Sequence, residues 1–361
     1  MIRNRPGRLL NITTFSDYQI KFQDLVRNCE DVLLDEKRGI AILSCDPGRD
    51  KWNTVMGTFI NPNTSSGSLW YYRYSKYRLQ ESGAIDRLQM EGFDSTKLMG
   101  FHPLGIAHWP QTGTLYVVNH AESGSTVEVL KLDRHSTGAK YQRTLSHPLL
   151  HTPNSVAPIS DHEIYVTNDH RWEKRNDPKK SVLETYTGFP GGSVVYVNLQ
   201  TDTYRKVADV HFANGITTLN STHLAVASTT TPAVFVYRIE PRTKALVMTK
   251  KVTLPFMVDN LSTDSTGHLL MAGHPSPSAL GKAAKTNHMY DIDGTGVGKP
   301  ATGRPRGPSW VAEWDGNPEG TIKSLYVGTE FSTSSTAVRD ADRGRGIVVG
   351  LYEKGLLLWN E

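Results

Sequence analysis

The stretch Asn154-Ser155-Val156-Ala157-Pro158-Ile159-Ser160-Asp161-His162-Glu163-Ile164-Tyr165-Val166-Thr167-Asn168-Asp169-His170 holds two short apolar runs joined by a polar turn. The second run alternates like a strand and ends on an amide, a carboxylate and an imidazole, so Asn168 and Asp169 face opposite sides of it. Taken alone, that ending is ordinary turn chemistry. The unit recurs, however. Glu30-Asp31-Val32 leads to Leu43-Ser44, Leu104-Gly105-Ile106 to Val118-Asn119-His120, Asn214-Gly215-Ile216 to Ala227-Ser228, and Asn260-Leu261-Ser262 to Gly273-His274. A weaker sixth copy runs from Ser309-Trp310-Val311 to Val327-Gly328. A recurrence of about 40 to 50 residues built of short strands is the signature of a β-propeller. The reading is therefore all-β: a single six-bladed β-propeller domain over residues 1–361 with a central metal-binding tunnel. A two-sheet sandwich would leave the recurrence unexplained.

Outer strands fall between the units, at Ser68–Tyr72, Val127–Leu132, Ser193–Val197 and Ala233–Arg238, each rich in β-branched or aromatic residues. Residues 1–27 show no clear period and read as an N-terminal arm that docks late. Helical signal is thin and is best at Lys76 to Met99. Residues 274–308 and 331–345 read as loop insertions, as does the polar stretch 171–190. Insertions of this kind gather on one face of a repeat fold, often the binding face. The run from Gly346 to Trp359 reads as a hairpin that finishes the last blade, with the arm helping to close the ring.

Composition bounds the function. With 38% hydrophobic and 21% charged residues, the chain reads as an ordinary soluble globular protein. The net charge of +4 is spread without a basic stripe, so nucleic-acid binding has no support. No apolar run approaches the ~20 residues of a membrane span. The start lacks an apolar signal region, which predicts a cytoplasmic chain as written, or a secreted one if a signal peptide has been removed. In the second case the sequons at Asn11, Asn63, Asn220 and Asn260 matter. A monomer or weak oligomer is expected. Cys29 and Cys45 flank a hairpin turn and fall opposite each other on adjacent strands, which leaves open a local disulfide or two buried thiols.

The innermost strand of every propeller blade faces the axis, so the residues that open each unit converge there: Glu30, Leu104, Asn154, Asn214, Asn260 and Ser309. Buried amides and carboxylates need something to satisfy them, and an all-oxygen set suits a hard cation. Adding Asp259 and Asn168 gives Glu30, Asn168, Asn214, Asp259 and Asn260 as ligands, with calcium as the ion because it accepts many oxygens in flexible geometry. Asp31 and Asp169 follow two of these and point the other way, toward a second ion.

Several segments, in order, resemble motifs of the serum paraoxonase/arylesterase family: Cys29-Glu30-Asp31-Val32-Leu33, Val118-Asn119-His120, Thr167-Asn168-Asp169-His170, Phe212-Ala213-Asn214-Gly215-Ile216, Val258-Asp259-Asn260 and Gly273-His274-Pro275. The resemblance implies a six-bladed propeller with two calcium ions, one catalytic and one structural, that hydrolyses lactones and aryl esters. It implies that Glu30, Asn168, Asn214, Asp259 and Asn260 hold the catalytic ion, while Asp31, Asp169 and the Ile106 carbonyl hold the structural one. His120 matches the family's assisting histidine, and Phe212 a pocket wall. The family's base histidine falls on Leu104, which cannot take a proton.

His102, two residues earlier on the same side of an extended segment, or the carboxylate of Glu30 or Asp259, is the replacement to look for. Leu104, Phe212, Asn154 and His274 are expected to contact a small apolar lactone, ester or other carbonyl substrate. The first functional reading is a calcium-dependent lactonase or arylesterase in which the metal polarises the carbonyl. The alternative is a non-hydrolytic cyclase, isomerase or cycloaddition catalyst that uses the same cavity. A third is a calcium-stabilised binding propeller without catalysis.

Overall fold

Six antiparallel sheets stand around a common axis in the computed structural model, which describes residues 4, 6–61, 66–75, 83–94, 98–133, 136–317 and 320–361. Blade 1 contains Cys29–Asp35, Ile40–Cys45, Ser68–Tyr72 and Ile85–Arg87. Blade 2 runs from Pro103–Trp109 through Thr114–Ala121 and Gly124–Leu132 to Gly138–Leu145, and Gln89–Glu91 pairs on its outer edge. Blade 3 is Pro153–Pro158, Glu163–Asn168, Gly192–Asn198 and Thr203–Val210, and blade 4 is Ala213–Asn220, His223–Ser228, Ala233–Ile239 and Leu246–Thr253. Blade 5 is Met257–Thr263, Leu269–His274, Ser309–Trp314 and Lys323–Gly328. Blade 6 is Ser334–Asp340, Arg345–Gly350 and Leu356–Asn360, completed on the outside by Asp17–Lys21 of the arm.

Both faces of a blade meet a neighbour, which is why the second strands are apolar throughout rather than alternating. Ile42 and Leu69 of blade 1 pack on Leu115 and Val117 of blade 2, and equivalent clusters join blades 2 to 3, 3 to 4, 4 to 5 and 5 to 6. Val338, Ile347 and Leu358 of blade 6 pack on Val32, Ala41 and Leu43 of blade 1 and close the ring. The arm seals it, with Asp17 opposite Asn360, Lys21 opposite Leu356, and Phe15 stacked on Trp359 at 4.6 Å. Burying the edge of the last blade under this strand of the arm removes an open ladder.

Two expectations change, and one left open is decided. The copy at Ser309 is the outer half of blade 5, and blade 6 begins at Ser334, inside residues 331–345, which had read as an insertion. Ser334-Ser335-Thr336 has no apolar alternation, yet every residue of that strand is buried against the axis. Between 76 and 99, where one or two short helices were expected, the described residues form the strands Ile85–Arg87 and Gln89–Glu91, with Leu98 and Met99 helical; residues 76–82 and 95–97 lie outside the description. The cysteines are joined: Cys29 and Cys45 are direct partners across the first hairpin of blade 1 and form a disulfide.

The other two insertions carry helices, Pro178–Thr187 and Pro277–Thr286. The second is seated on the ring through Leu280, Ala283 and Ala284 against Met257, Leu351 and Tyr352. Of the sequons, Asn11 and Asn220 are exposed, Asn260 is buried, and Asn63 lies outside the described residues. Among the described residues no helix is long and apolar enough to cross a membrane.

Candidate functional site

Every innermost strand carries a β-bulge near its start, immediately after its first paired residue or, in blade 5, after its second. A bulge sets an extra residue against the partner strand and re-aims the side chains beside it. The residues at these bulges are Glu30-Asp31, Leu104-Gly105, Asn154-Ser155, Asn214-Gly215, Asp259-Asn260 and Ser335-Thr336. The first members Glu30, Leu104, Asn154, Asn214 and Asp259 line a cavity of about 240 Å³. The second members Asp31, Ser155 and Asn260 line another, of about 320 Å³, formed by the later residues of the same strands. Asp259, rather than Asn260, therefore shares the column of Glu30, and the register argument from sequence is corrected by one residue.

Two of the bulge positions admit only glycine. A Cβ on Gly105 would stand 2.3 Å from the Asn154 carbonyl oxygen, and one on Gly215 would stand 2.6 Å from Asn260 Cα. Neighbouring inner strands approach each other closely at this layer, which concentrates the polar groups. The Asn260 amide donates to Glu30 Oε1 at 2.8 Å and to Thr336 Oγ1 at 3.0 Å. The Asn214 amide donates to Thr229 Oγ1 at 3.0 Å, and His274 Nε2 donates to Asp259 Oδ2 at 2.8 Å. Four buried oxygens, Glu30 Oε2, Asn154 Oδ1, Asn214 Oδ1 and Asn260 Oδ1, have no hydrogen-bond partner among the described residues.

The electrostatics match that shortage of donors. Burial, together with the Asp31 and Asp259 carboxylates, pushes the Glu30 carboxyl well above the usual range, against the pull of Arg49 and the Asn260 amide. Burial also raises Asp31, to about 6, although Ile106, Thr336 and Val32 donate to it. Oxygens without donors, among carboxylates that resist ionisation, are what a hard cation would satisfy. Among the described residues no three His, Cys, Asp or Glu side chains are grouped around a metal position, so any ion here draws on amide oxygens as well.

Other expected ligands are committed elsewhere. Asn168 stands outside the cavity; its Oδ1 accepts from Thr152 N–H at 3.2 Å and its amide donates to Leu149 O and Ser193 Oγ. Asn154, expected to contact substrate, occupies the ring position instead. Asp31 Oδ1 accepts from Val32 N–H and Thr336 Oγ1, and its Oδ2 from the Ile106 N–H at 2.8 Å. Asp169 is paired with His170 Nδ1 at 2.8 Å and lines a separate small cavity with His120. Burial works against its charge, but the His170 hydrogen bond prevails and holds its carboxyl below the usual range. The set expected for a second ion, Asp31, Asp169 and Ile106, is thus divided between different cavities.

The histidines sort in the same way. His120 Nε2 faces the Pro153 carbonyl at 2.6 Å and must donate to it, which leaves Nδ1 to accept from the Thr54 hydroxyl. Burial pushes its pKa down, which keeps this neutral form. His102 Nδ1 pairs with Asp46 Oδ2 at 3.0 Å, and neither His102 nor His120 lines the 240 Å³ cavity. His274 does line it, with Nδ1 unpartnered, alongside Leu104 and Phe212 as expected. Two cationic wall residues, Arg49 and Lys174, were not anticipated. Both sit on non-repeating segments, where the recurrence gives no signal; the only local cue was Asp46-Pro47, which caps the short helix Pro47–Asp50 that carries Arg49.

Comparison with known proteins bears on the family and the fold. The chain is 32% identical over 203 residues to "Serum paraoxonase/arylesterase 1" of Rattus norvegicus, 55% of each chain, and 30% identical over 196 residues to "Serum paraoxonase/lactonase 3" of Homo sapiens, 52% of each. It spans about half the length of the curated relatives it matches. Among solved structures it resembles a luciferin-regenerating enzyme, with TM-score 0.55 and 9% identity over 96% of this chain and 95% of that one. It also resembles a gluconolactonase from Xanthomonas campestris, with TM-score 0.53 and 14% identity over 99% and 91%. Likeness at such identities speaks for the propeller fold alone. A model of the family described as arylesterase matches residues 79–288, more than half of the sequence, and the chain belongs to that family.

Proposed function

We propose that the chain is a calcium-dependent hydrolase of small apolar lactones and aryl esters. The observation that carries this reading is the group of four donor-less buried oxygens beside the Glu30 and Asp259 carboxylates: Glu30, Asn154 and Asn214 line a cavity with largely apolar walls, and Asn260 lies behind them, tied to Glu30 through its amide. Glu30, Asn154, Asn214, Asp259 and Asn260 would hold one calcium ion, with Asn154 in the place first expected of Asn168. When bound, calcium supplies Lewis-acid polarisation of a carbonyl. Leu104, Met56, Phe212, Met257 and Leu351 receive the acyl or aryl part and exclude water around it. His274 keeps its proton on Nε2, given to Asp259, and presents the Nδ1 lone pair to accept a proton from the attacking water. Activity on lactones and esters is what the names of the curated relatives indicate. The disulfide supports an oxidising compartment in place of the cytosol.

A second reading, a non-hydrolytic cyclase, isomerase or cycloaddition catalyst, is favoured by one observation: His120 has both ring nitrogens committed, while Leu104, where the resemblance implies a base, lines the cavity. One experiment separates the two. Phenyl acetate and a panel of γ- and δ-lactones are incubated with the protein, with and without a calcium chelator. Calcium-dependent turnover that falls about 10²-fold or more in His274→Ala is expected. Turnover indifferent to chelation removes the calcium mechanism. An inert panel, with an unsaturated carbonyl compound consumed without uptake of water, establishes the second reading.

A further inference from the structure

A buried guanidinium, Arg49, and a half-buried ammonium, Lys174, line the 240 Å³ cavity, and neither forms an ion pair among the described residues. Arg49 is 3% exposed, donates from one terminal nitrogen to the Pro103 carbonyl at 2.9 Å, and leaves Nε without a partner. Its charge acts on Glu30. Lys174 donates to the Val55 carbonyl at 2.7 Å. An ammonium has three N–H groups, so two remain beyond that bond. Placing a lysine cation away from water without a carboxylate is costly, and burial accordingly lowers the Lys174 pKa against the pull of Asp169. That carboxylate is engaged with His170 instead.

Charge balance decides what the cavity is built to receive. Its lining holds two carboxylates, Glu30 and Asp259, and two cations, Arg49 and Lys174, which cancel. A divalent ion on the ring then leaves the cavity with an excess of about two positive charges inside largely apolar walls. A neutral lactone leaves that excess unanswered. An anion answers it, and the Lys174 ammonium, with two N–H groups beyond its bond to Val55, can donate to both oxygens of a carboxylate.

We infer that the cavity selects carbonyl substrates bearing a carboxylate remote from the reacting carbonyl, with Lys174 as the residue that receives it. The fate of the carbonyl rests on the hydrolase reading above; recognition of the carboxylate rests on that reading only through the calcium ion, and it is tested by binding alone. The probes are glutaranilic acid, an anilide whose free carboxylate lies at the far end of a short acyl chain, and its methyl ester. Both are titrated calorimetrically into the calcium-loaded protein. The acid is expected to bind about 10- to 100-fold more tightly than the ester. The ratio falls to about one in Lys174→Met and in Lys174→Gln, and is kept in Lys174→Arg, which also shows that the site tolerates replacement. Equal binding of acid and ester by the parent protein overturns the inference. So does a preference that persists in Lys174→Met and disappears on chelation, which would put the carboxylate on calcium instead. Absence of ester hydrolysis leaves these titrations unaffected, so failure of the hydrolase reading and failure of this inference are seen separately.

Discussion

Glu30→Gln should stabilise the metal-free protein and abolish its response to calcium, an inversion of the usual outcome of mutating a buried side chain. Glu30 is 2% exposed; its Oε1 accepts from Asn260, and its Oε2 has no donor among the described residues. Glutamine keeps the first contact, discharges the group beside Asp31 and Asp259, and replaces the orphan oxygen with a donor facing amide oxygens that lack one. A buried polar group left unsatisfied costs roughly 1–3 kcal/mol, so removing this one should return about that much. Unfolding entropy of about 2 cal/mol/K per residue makes 1 kcal/mol worth roughly 1.3 °C in a chain of this length, an increase of about 1–4 °C. Calcium at about 100 times its Kd adds roughly 2.7 kcal/mol to the parent, or about 3–4 °C. In Glu30→Gln that increment should fall below about 1 °C. Differential scanning calorimetry at neutral pH, with chelator and then with excess calcium, reads both effects. A metal-free variant that melts below the parent, or that keeps the full calcium shift, refutes the assignment of Glu30 to an ion site.

Leu104→His restores a proton acceptor at the cavity wall and should raise lactone or phenyl acetate hydrolysis about 10²-fold or more, measured as kcat/KM; no gain would mean that the wall is not where water is activated. Replacing Cys29 and Cys45 together by serine should cost about 3 kcal/mol, from the roughly 15-residue loop that the disulfide closes, read as a lower midpoint in urea with the slope unchanged. Arg339 of blade 6 pairs with Asp264 and Glu313 of blade 5, and Arg339→Leu should cost roughly 3–5 kcal/mol at neutral pH. Burial opposes the charge on Asp264 and Glu313, but their hydrogen bonds and Arg339 hold both carboxyls below the usual range. Such groups stabilise the fold above their unfolded values and lose that contribution as pH falls through the folded ones, so the acid-unfolding midpoint should move to higher pH in Arg339→Leu; an unchanged midpoint contradicts the coupling.

Five of the six inner strands could be read from the sequence because each opens on residues such as Glu30 or Asn214 and then turns apolar. The sixth could not, since Ser334-Ser335-Thr336 carries neither signal; its burial comes from small hydroxyl side chains packed where blades 5, 6 and 1 converge. Trp310 and Val311 imitated the pattern because a strand buried between blades looks alike wherever it sits in its sheet. The one-residue error that put Asn260 in the column of Asp259 has a similar origin, for a bulge adds a residue to a period of two without changing composition. Arg49 and Lys174 reach the cavity from segments with no repeat at all, and only tertiary docking, such as the Lys174 contact with Val55, brings them in.

The bulges also decide which polar side chains remain free for a ligand. Each one takes backbone groups out of the ladder, and a buried backbone group must find another partner. Asp31 accepts the Ile106 N–H, Thr167 accepts the Ser155 N–H and donates to the Asn214 carbonyl, and Thr229 donates to the Val258 carbonyl. Thr336 donates to the Glu30 carbonyl, and Asn168 accepts the Thr152 N–H. Asn168 and Asp31 are therefore engaged with backbone even though their chemistry qualifies them as metal ligands. Asn154, Asn214, Asn260 and one corner of Glu30 keep oxygens that no such demand reaches. Between Asn154 and Asn168, equal in residue type and both buried at the same end of blade 3, the proposed ion site takes Asn154 because the backbone has already claimed Asn168.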